Sequence, residues 1–119
     1  MKSQKSLSEL QKIVAEFIKE REWNAFHTPK NLSMKIAIEA AELMEKFTWI
    51  ESKDSYNELD TNRQEIEDEF ADVLIVALAF ANQCNINISS AITSKLEEVK
   101  QKYPVEKVKG KHYKYTHYK

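Results

Sequence analysis

Glu65-Ile66-Glu67-Asp68-Glu69-Phe70-Ala71-Asp72-Val73-Leu74-Ile75-Val76-Ala77-Leu78-Ala79-Phe80-Ala81 is the stretch that decides the fold. Eleven of the twelve residues from Phe70 to Ala81 are apolar, and the exception is Asp72. A segment that is apolar on every side reads as a buried helix. Glu69 and Asp72 then stand where such a helix enters its core. Their spacing of three puts them on one face, with Cβ atoms roughly 5–6 Å apart. Carboxylates are rarely buried unless paired, protonated or bound to a cation.

A second stretch answers the first. Met34-Lys35-Ile36-Ala37-Ile38-Glu39-Ala40-Ala41-Glu42-Leu43-Met44-Glu45-Lys46-Phe47 is also apolar nearly all round, and it carries Glu39 and Glu42 three apart. If the two helices pack side by side, four carboxylates face one another and repel unless a cation holds them. The competing reading leaves these acids at helix edges in water, or pairs them with Lys35 and Lys46. Two pairs, each set into an apolar helix, favour the metal.

Composition limits the rest. The 119 residues suit one domain, residues 1–119, with a real core. One glycine, two prolines and no convincing period-two alternation point to an all-α protein. The net charge is −1, but residues 107–119 hold five lysines and no acid, so the first 106 residues carry −6. An acidic body is a poor general nucleic-acid binder. A lone Cys84 permits no intrachain disulfide and suits a reducing compartment. With no signal-peptide run, and Val73–Ala81 as the longest apolar run, the expectation is a cytoplasmic protein with no membrane association.

Along the chain, a first helix is predicted over about Leu7–Trp23, with a stripe of Leu7, Leu10, Ile13, Val14, Phe17 and Ile18. The connection from Trp23 to Leu32 ends in Thr28-Pro29, an N-cap followed by proline at the first helical position. Trp23, Phe26 and His27 are dense for a loop: either a hydrophobic plug, or a Trp and a His placed to stack on and hydrogen-bond to a flat ring. The second helix is predicted over about Leu32–Ile50, which puts Trp49 on the face of Glu42 two turns on. Residues 51–61 read as a polar loop, and Thr61 with Gln64 as a capping box for a third helix over about Asn62–Gln83. Asn87 caps a fourth helix, about Ile88–Lys102, which Pro104 stops. The helical core thus spans about 7–103, as a four-helix bundle, followed by a basic, aromatic tail over 104–119. The second and third helices are apolar on more faces than a lone bundle needs, which points to an oligomer.

The chemistry follows from the donor set. All four proposed ligands are carboxylates, which suit Mg²⁺ or Mn²⁺ rather than zinc or copper. Di-iron bundles need Glu-x-x-His pairs, and His27, His112 and His117 all lack a glutamate three residues before them. Magnesium on a few carboxylates is commonly completed by substrate phosphates. The residues alone therefore point to a Mg²⁺-dependent hydrolase of phosphate esters or anhydrides. There is no glycine-rich phosphate loop, so lysines and the metal must grip the phosphates.

Glu39-x-x-Glu42 followed by Glu69-x-x-Asp72 resembles the signature of the MazG-like all-α nucleoside triphosphate pyrophosphohydrolases. Trp23-x-x-Phe26-His27-x-Pro29-x-Asn31-Leu32, Phe47-x-Trp49, Asp72-Val73-Leu74-Ile75, Lys102-Tyr103-Pro104-Val105 and Tyr115-Thr116 are similar to the dCTP pyrophosphatase branch. The resemblance covers about residues 7–116. It implies cleavage of a (d)NTP between the α- and β-phosphates, giving the monophosphate and pyrophosphate as nucleotide-pool house-cleaning. It also implies a tetramer built as a dimer of dimers.

By the same resemblance, Glu39, Glu42, Glu69 and Asp72 match the metal ligands, and Lys95 matches a phosphate-binding lysine. Trp23, His27 and Trp49 match positions around the base, with Asn31 in the same motif. A carboxylate can orient and deprotonate the attacking water; any of the four ligands could serve, and Glu39 is the one expected. Two positions depart from the pattern. Val76 stands where the branch often has an aromatic, which leaves the preferred base open. Val99 stands where it usually has Asn, which leaves part of the phosphate grip open. The rival readings are a dUTPase-like hydrolase of the same superfamily, a non-catalytic helical oligomerisation module, and nucleic-acid binding through the tail.

Overall fold

The computed structural model describes residues 4–118. Among these residues there are six α-helices and no strand, so the all-α expectation holds. They are α1 (Leu7–Glu20), α2 (Pro29–Glu45), α3 (Ser55–Thr61), α4 (Arg63–Gln83), α5 (Ile88–Lys102) and α6 (Val105–Val108). Short 3₁₀ turns lie at Asn24–Phe26, Ser52–Asp54 and Tyr115–Tyr118. The chain divides into two compact units, one ending at Asn85 and the other beginning at Ile86. No single helix among the described residues is long and apolar enough to cross a membrane.

In the first unit α4 packs against both α2 and α1. The pairing of α2 with α4 is antiparallel. At one end the Lys46 ammonium, just past α2, reaches Glu65 in the first turn of α4 at 3.4 Å. At the other, Leu32 from the first turn of α2 joins Val76 and Ala79 of α4 in the core cluster, with Val14 and Ile18 of α1. The register is therefore long and continuous, and it sets the middle of α2 opposite the first half of α4.

Helix boundaries follow local chemistry. Ser6 caps α1 through a reciprocal capping box with Glu9, at 3.1 and 3.2 Å. The helix stops at Glu20, three residues short of the predicted end. Glu22 adopts φ 54°, its N–H donates to the Lys19 carbonyl, and the Trp23 N–H donates to the Ile18 carbonyl. That is a Schellman ending with glutamate where glycine is usual. Thr28 caps α2 by accepting from the Asn31 N–H at 3.2 Å, and Pro29 occupies the first turn, as predicted.

Three other sequence expectations need correction. Helix α2 runs over Pro29–Glu45, not Leu32–Ile50: it begins right after its Thr28 cap, and at its end Lys46, Phe47 and Thr48 bond three residues back while the Thr48 hydroxyl donates to the Met44 carbonyl at 2.9 Å. β-Branched and aromatic residues weaken the helix there. Trp49 therefore leaves the Glu42 face and stands 93% exposed. Residues 51–61 are not a loop but a 3₁₀ turn followed by α3. The Thr61–Gln64 capping box does not form: α3 runs through Thr61, Asn62 turns its amide back to Glu58 at 2.8 Å, and Gln64 bonds Asp68 at 2.9 Å.

Burial is lighter than the apolar pattern suggests. Val14 and Ile18 are the buried members of the α1 stripe, while Leu7, Leu10, Ile13 and Phe17 line an open groove of about 470 Å³ with Ala71, Leu74, Ile75 and Leu78 of α4. Phe70 is likewise half exposed. In this chain the central helix is thus buried along one side rather than all round.

In the second unit, the Asn87 side chain caps α5 by accepting from the Ser90 N–H at 3.0 Å. The helix runs over Ile88–Lys102, as predicted, before Pro104. The tail folds back within this unit. The Tyr115 N–H donates to the Tyr103 hydroxyl at 2.8 Å, and the Lys102 ammonium lies 4.7 Å from the Tyr115 ring centroid.

Candidate metal centre

The antiparallel register brings both acid pairs together. Glu39 and Glu42 on α2 and Glu69 and Asp72 on α4 each offer a carboxylate oxygen, and these atoms all lie within 4.8 Å of one another. Glu39 is buried and Glu69 half-buried, while Glu42 and Asp72 are exposed. One side of the cluster is thus set in the helix pair and the other opens outward.

The electrostatics of the cluster are unfavourable as it stands. Glu39 Oε2 and Glu69 Oε2 are buried with no hydrogen-bond partner. Glu39 beside it, followed by desolvation and the charge of Glu69, raises the Glu42 carboxyl above its ordinary value. Clustered carboxylates with orphaned oxygens need a cation or protons. An all-oxygen donor set fits Mg²⁺ or Mn²⁺. The reading in which Lys35 and Lys46 neutralise the four acids is met only in part. Lys35 pairs with Glu39 at 3.1 Å, whereas Lys46 goes to Glu65, outside the cluster.

The Schellman ending of α1 gathers the aromatic residues. Trp23 meets Phe17 edge-on with centroids 5.7 Å apart, and lies 6.3 Å from His27. The Arg21 guanidinium sits 3.9 Å over the Phe17 ring. His27 Nδ1 is buried without a partner. Asn31 donates its side-chain amide to the Phe26 carbonyl at 3.1 Å, fixing this connection onto the start of α2. Nothing in the sequence marks the turn that folds Trp23 back, because glutamate stands at its left-handed position.

Val76, one turn after Asp72, is buried in the core cluster. Lys95 belongs to the second unit, is exposed, and pairs with Glu98 at 3.1 Å. Lys95 and then Lys102 hold the Glu98 carboxyl below its ordinary value.

Residues 34–117 match the MazG-like family. The chain is 34% identical over 113 residues to dCTP pyrophosphatase 1 of Mus musculus, covering 93% of this chain and 66% of that protein. It is 31% identical over 113 residues to dCTP pyrophosphatase 1 of Homo sapiens, with the same coverage. It thus spans about two thirds of the length of these curated relatives. Among solved structures, a pyrophosphatase from Archaeoglobus fulgidus superposes with a TM-score of 0.80 at 39% identity, over 87% of this chain and 97% of that one.

Proposed function

The chain belongs to the MazG-like family, and from that premise we propose that it is a nucleoside triphosphate pyrophosphohydrolase dependent on Mg²⁺ or Mn²⁺. It cleaves a (d)NTP to the monophosphate and pyrophosphate, with dCTP or a modified pyrimidine dNTP preferred. The observation that carries this reading is the cluster of four carboxylates with two buried, unpartnered oxygens. The names of the relatives support the reaction and the base.

Glu39, Glu42, Glu69 and Asp72 would hold the cation. When bound, it neutralises triphosphate charge and stabilises charge on the leaving pyrophosphate. Glu39 is the proposed base: the most buried of the four acids, its carboxylate would orient a water beside the cation and take its proton. Trp23 and His27 offer a ring face and an unsatisfied nitrogen to the base, and Asn31 keeps their connection in place. Lys95 is the proposed phosphate contact: it would have to leave Glu98, and an exposed pair of that kind contributes little to stability. Trp49 is held out in solvent, where it can close on a bound base. Val76 contributes packing beneath the site.

The half-exposed apolar residues of α1 and α4 support a homo-oligomer, with a dimer of dimers as the reading. Light scattering at micromolar concentration decides it, and a monomer would refute it. The lone Cys84 fits a cytoplasmic setting. Turnover of a panel of natural and modified dNTPs with Mg²⁺ tests the function. Pyrimidine deoxynucleotides, dCTP foremost, should be hydrolysed fastest. Strict preference for dUTP would favour the dUTPase-like reading, and no turnover of any nucleotide would refute an enzyme.

A further inference from the structure

Lys35 stands one turn before Glu39 on α2, and its ammonium donates to Glu39 Oε1 at 3.1 Å. The two partners differ sharply in environment: the Lys35 side chain is 53% exposed, that of Glu39 11%. Two other lysine pairs within helices, Lys95 with Glu98 and Lys100 with Glu97, join partners that are both more than half exposed. Such surface pairs change little when broken. The Lys35–Glu39 pair does not belong with them, because one of its charges cannot retreat into water.

Glu39 is held from one side only. Oε1 carries the lysine, while Oε2 is buried, unpartnered and part of a carboxylate belonging to the cluster. Among the described residues, no ion pair other than that of Lys35 reaches the four acids; Lys46 reaches Glu65. The group therefore carries a single fixed positive charge in contact with it. That charge sits on a long stem with a solvent path for withdrawal.

We infer that Lys35 is the resident counter-ion of the metal centre: it neutralises Glu39 when no metal is bound and competes with the incoming divalent cation, so that it sets how tightly the free enzyme holds that ion. This rests on the metal-centre reading above. A divalent ion taken up by Glu39 meets a unit positive charge on the other oxygen of the same carboxylate, in a partly buried setting where screening is weak. Either the ammonium withdraws into water or the ion binds against its repulsion. Both lower the affinity of the free site. The same lysine keeps a buried carboxylate from standing alone in the metal-free protein.

The test compares wild type with Lys35→Met and Lys35→Arg by calorimetric titration of Mg²⁺ without nucleotide at pH 8, and by melting of the metal-free proteins. Lys35→Met should melt lower without metal and bind Mg²⁺ on the order of tenfold more tightly. Lys35→Arg, which keeps the charge, should behave as wild type. If Lys35→Met fails to fold, Lys35→Gln carries the same test, since its amide can still donate to Glu39 without the charge. Equal or weaker Mg²⁺ binding in the neutral variant, with wild type binding normally, would overturn the counter-ion role alone. Absence of Mg²⁺ binding in all the proteins would overturn the metal centre and this inference with it.

Discussion

Gln11 on α1 and Asn82 on α4 exchange two hydrogen bonds: the Asn82 amide donates to the Gln11 backbone carbonyl at 2.9 Å, and its carbonyl oxygen accepts from Gln11 Nε2 at 3.1 Å. Both groups are partly buried, and the contact fixes the register of α1 on the helix that carries Glu69 and Asp72. Asn82→Ala removes both bonds and should cost about 1–3 kcal/mol. Gln11→Ala keeps the bond to the backbone and should cost less. Urea melts of the two variants check the order; equal costs, or none, would make the contact incidental.

Glu22 holds φ 54° at the end of α1. A left-handed conformation costs a non-glycine residue roughly 1–2 kcal/mol, and glycine gives part of that back as backbone entropy. Glu22→Gly should therefore stabilise the protein by about 0.5–1 kcal/mol in a urea melt. Destabilisation would show that the glutamate side chain makes a contribution larger than its strain.

Glu42 carries like charge from Glu39 and Glu69. Glu42→Gln should abolish hydrolysis yet raise the melting temperature of the metal-free protein at neutral pH, because it removes one repelling charge. Mg²⁺ should stabilise wild type by mass action and the variant much less. Thermal melts with and without Mg²⁺ read both effects, and equal Mg²⁺ shifts in the two proteins would contradict a shared site.

Trp49 is 93% exposed, so the fold of this chain gains little from it. That makes Trp49→Ala a clean probe of base contact. Stacking on an aromatic contributes about 1–3 kcal/mol, so KM should rise roughly five- to a hundredfold with a smaller change in kcat. Steady-state kinetics beside an unchanged melt would support the contact; unchanged kinetics would leave Trp49 without a role in substrate binding.

Much of the candidate site could be read in the sequence, because the clustering of its acids rests largely on helical spacing. Two acid pairs three apart, each inside an apolar run, needed only an antiparallel register to meet, and caps at Thr28 and Asn87 marked where two of the helices begin. What could not be read depends on contacts beyond helical spacing. Helix α3 offers only Tyr56 and Leu59 as apolar residues and gives no stripe. The end of α2 is set by tight turns through Lys46 and Thr48. The Schellman ending lacks its usual glycine, so Trp23 read as helix. Apolar periodicity marked Leu7, Leu10, Ile13 and Phe17 as a stripe but could not say what covers them.

Attack of water at the α-phosphorus of a nucleoside triphosphate is the step proposed for this cluster. Hydrolysis of dCTP with Mg²⁺ in ¹⁸O-labelled water, followed by mass spectrometry of the first products, tests it most directly. Both dCMP and pyrophosphate should appear from the start, with one labelled oxygen in dCMP and no early orthophosphate. Appearance of dCDP and orthophosphate as first products would contradict it.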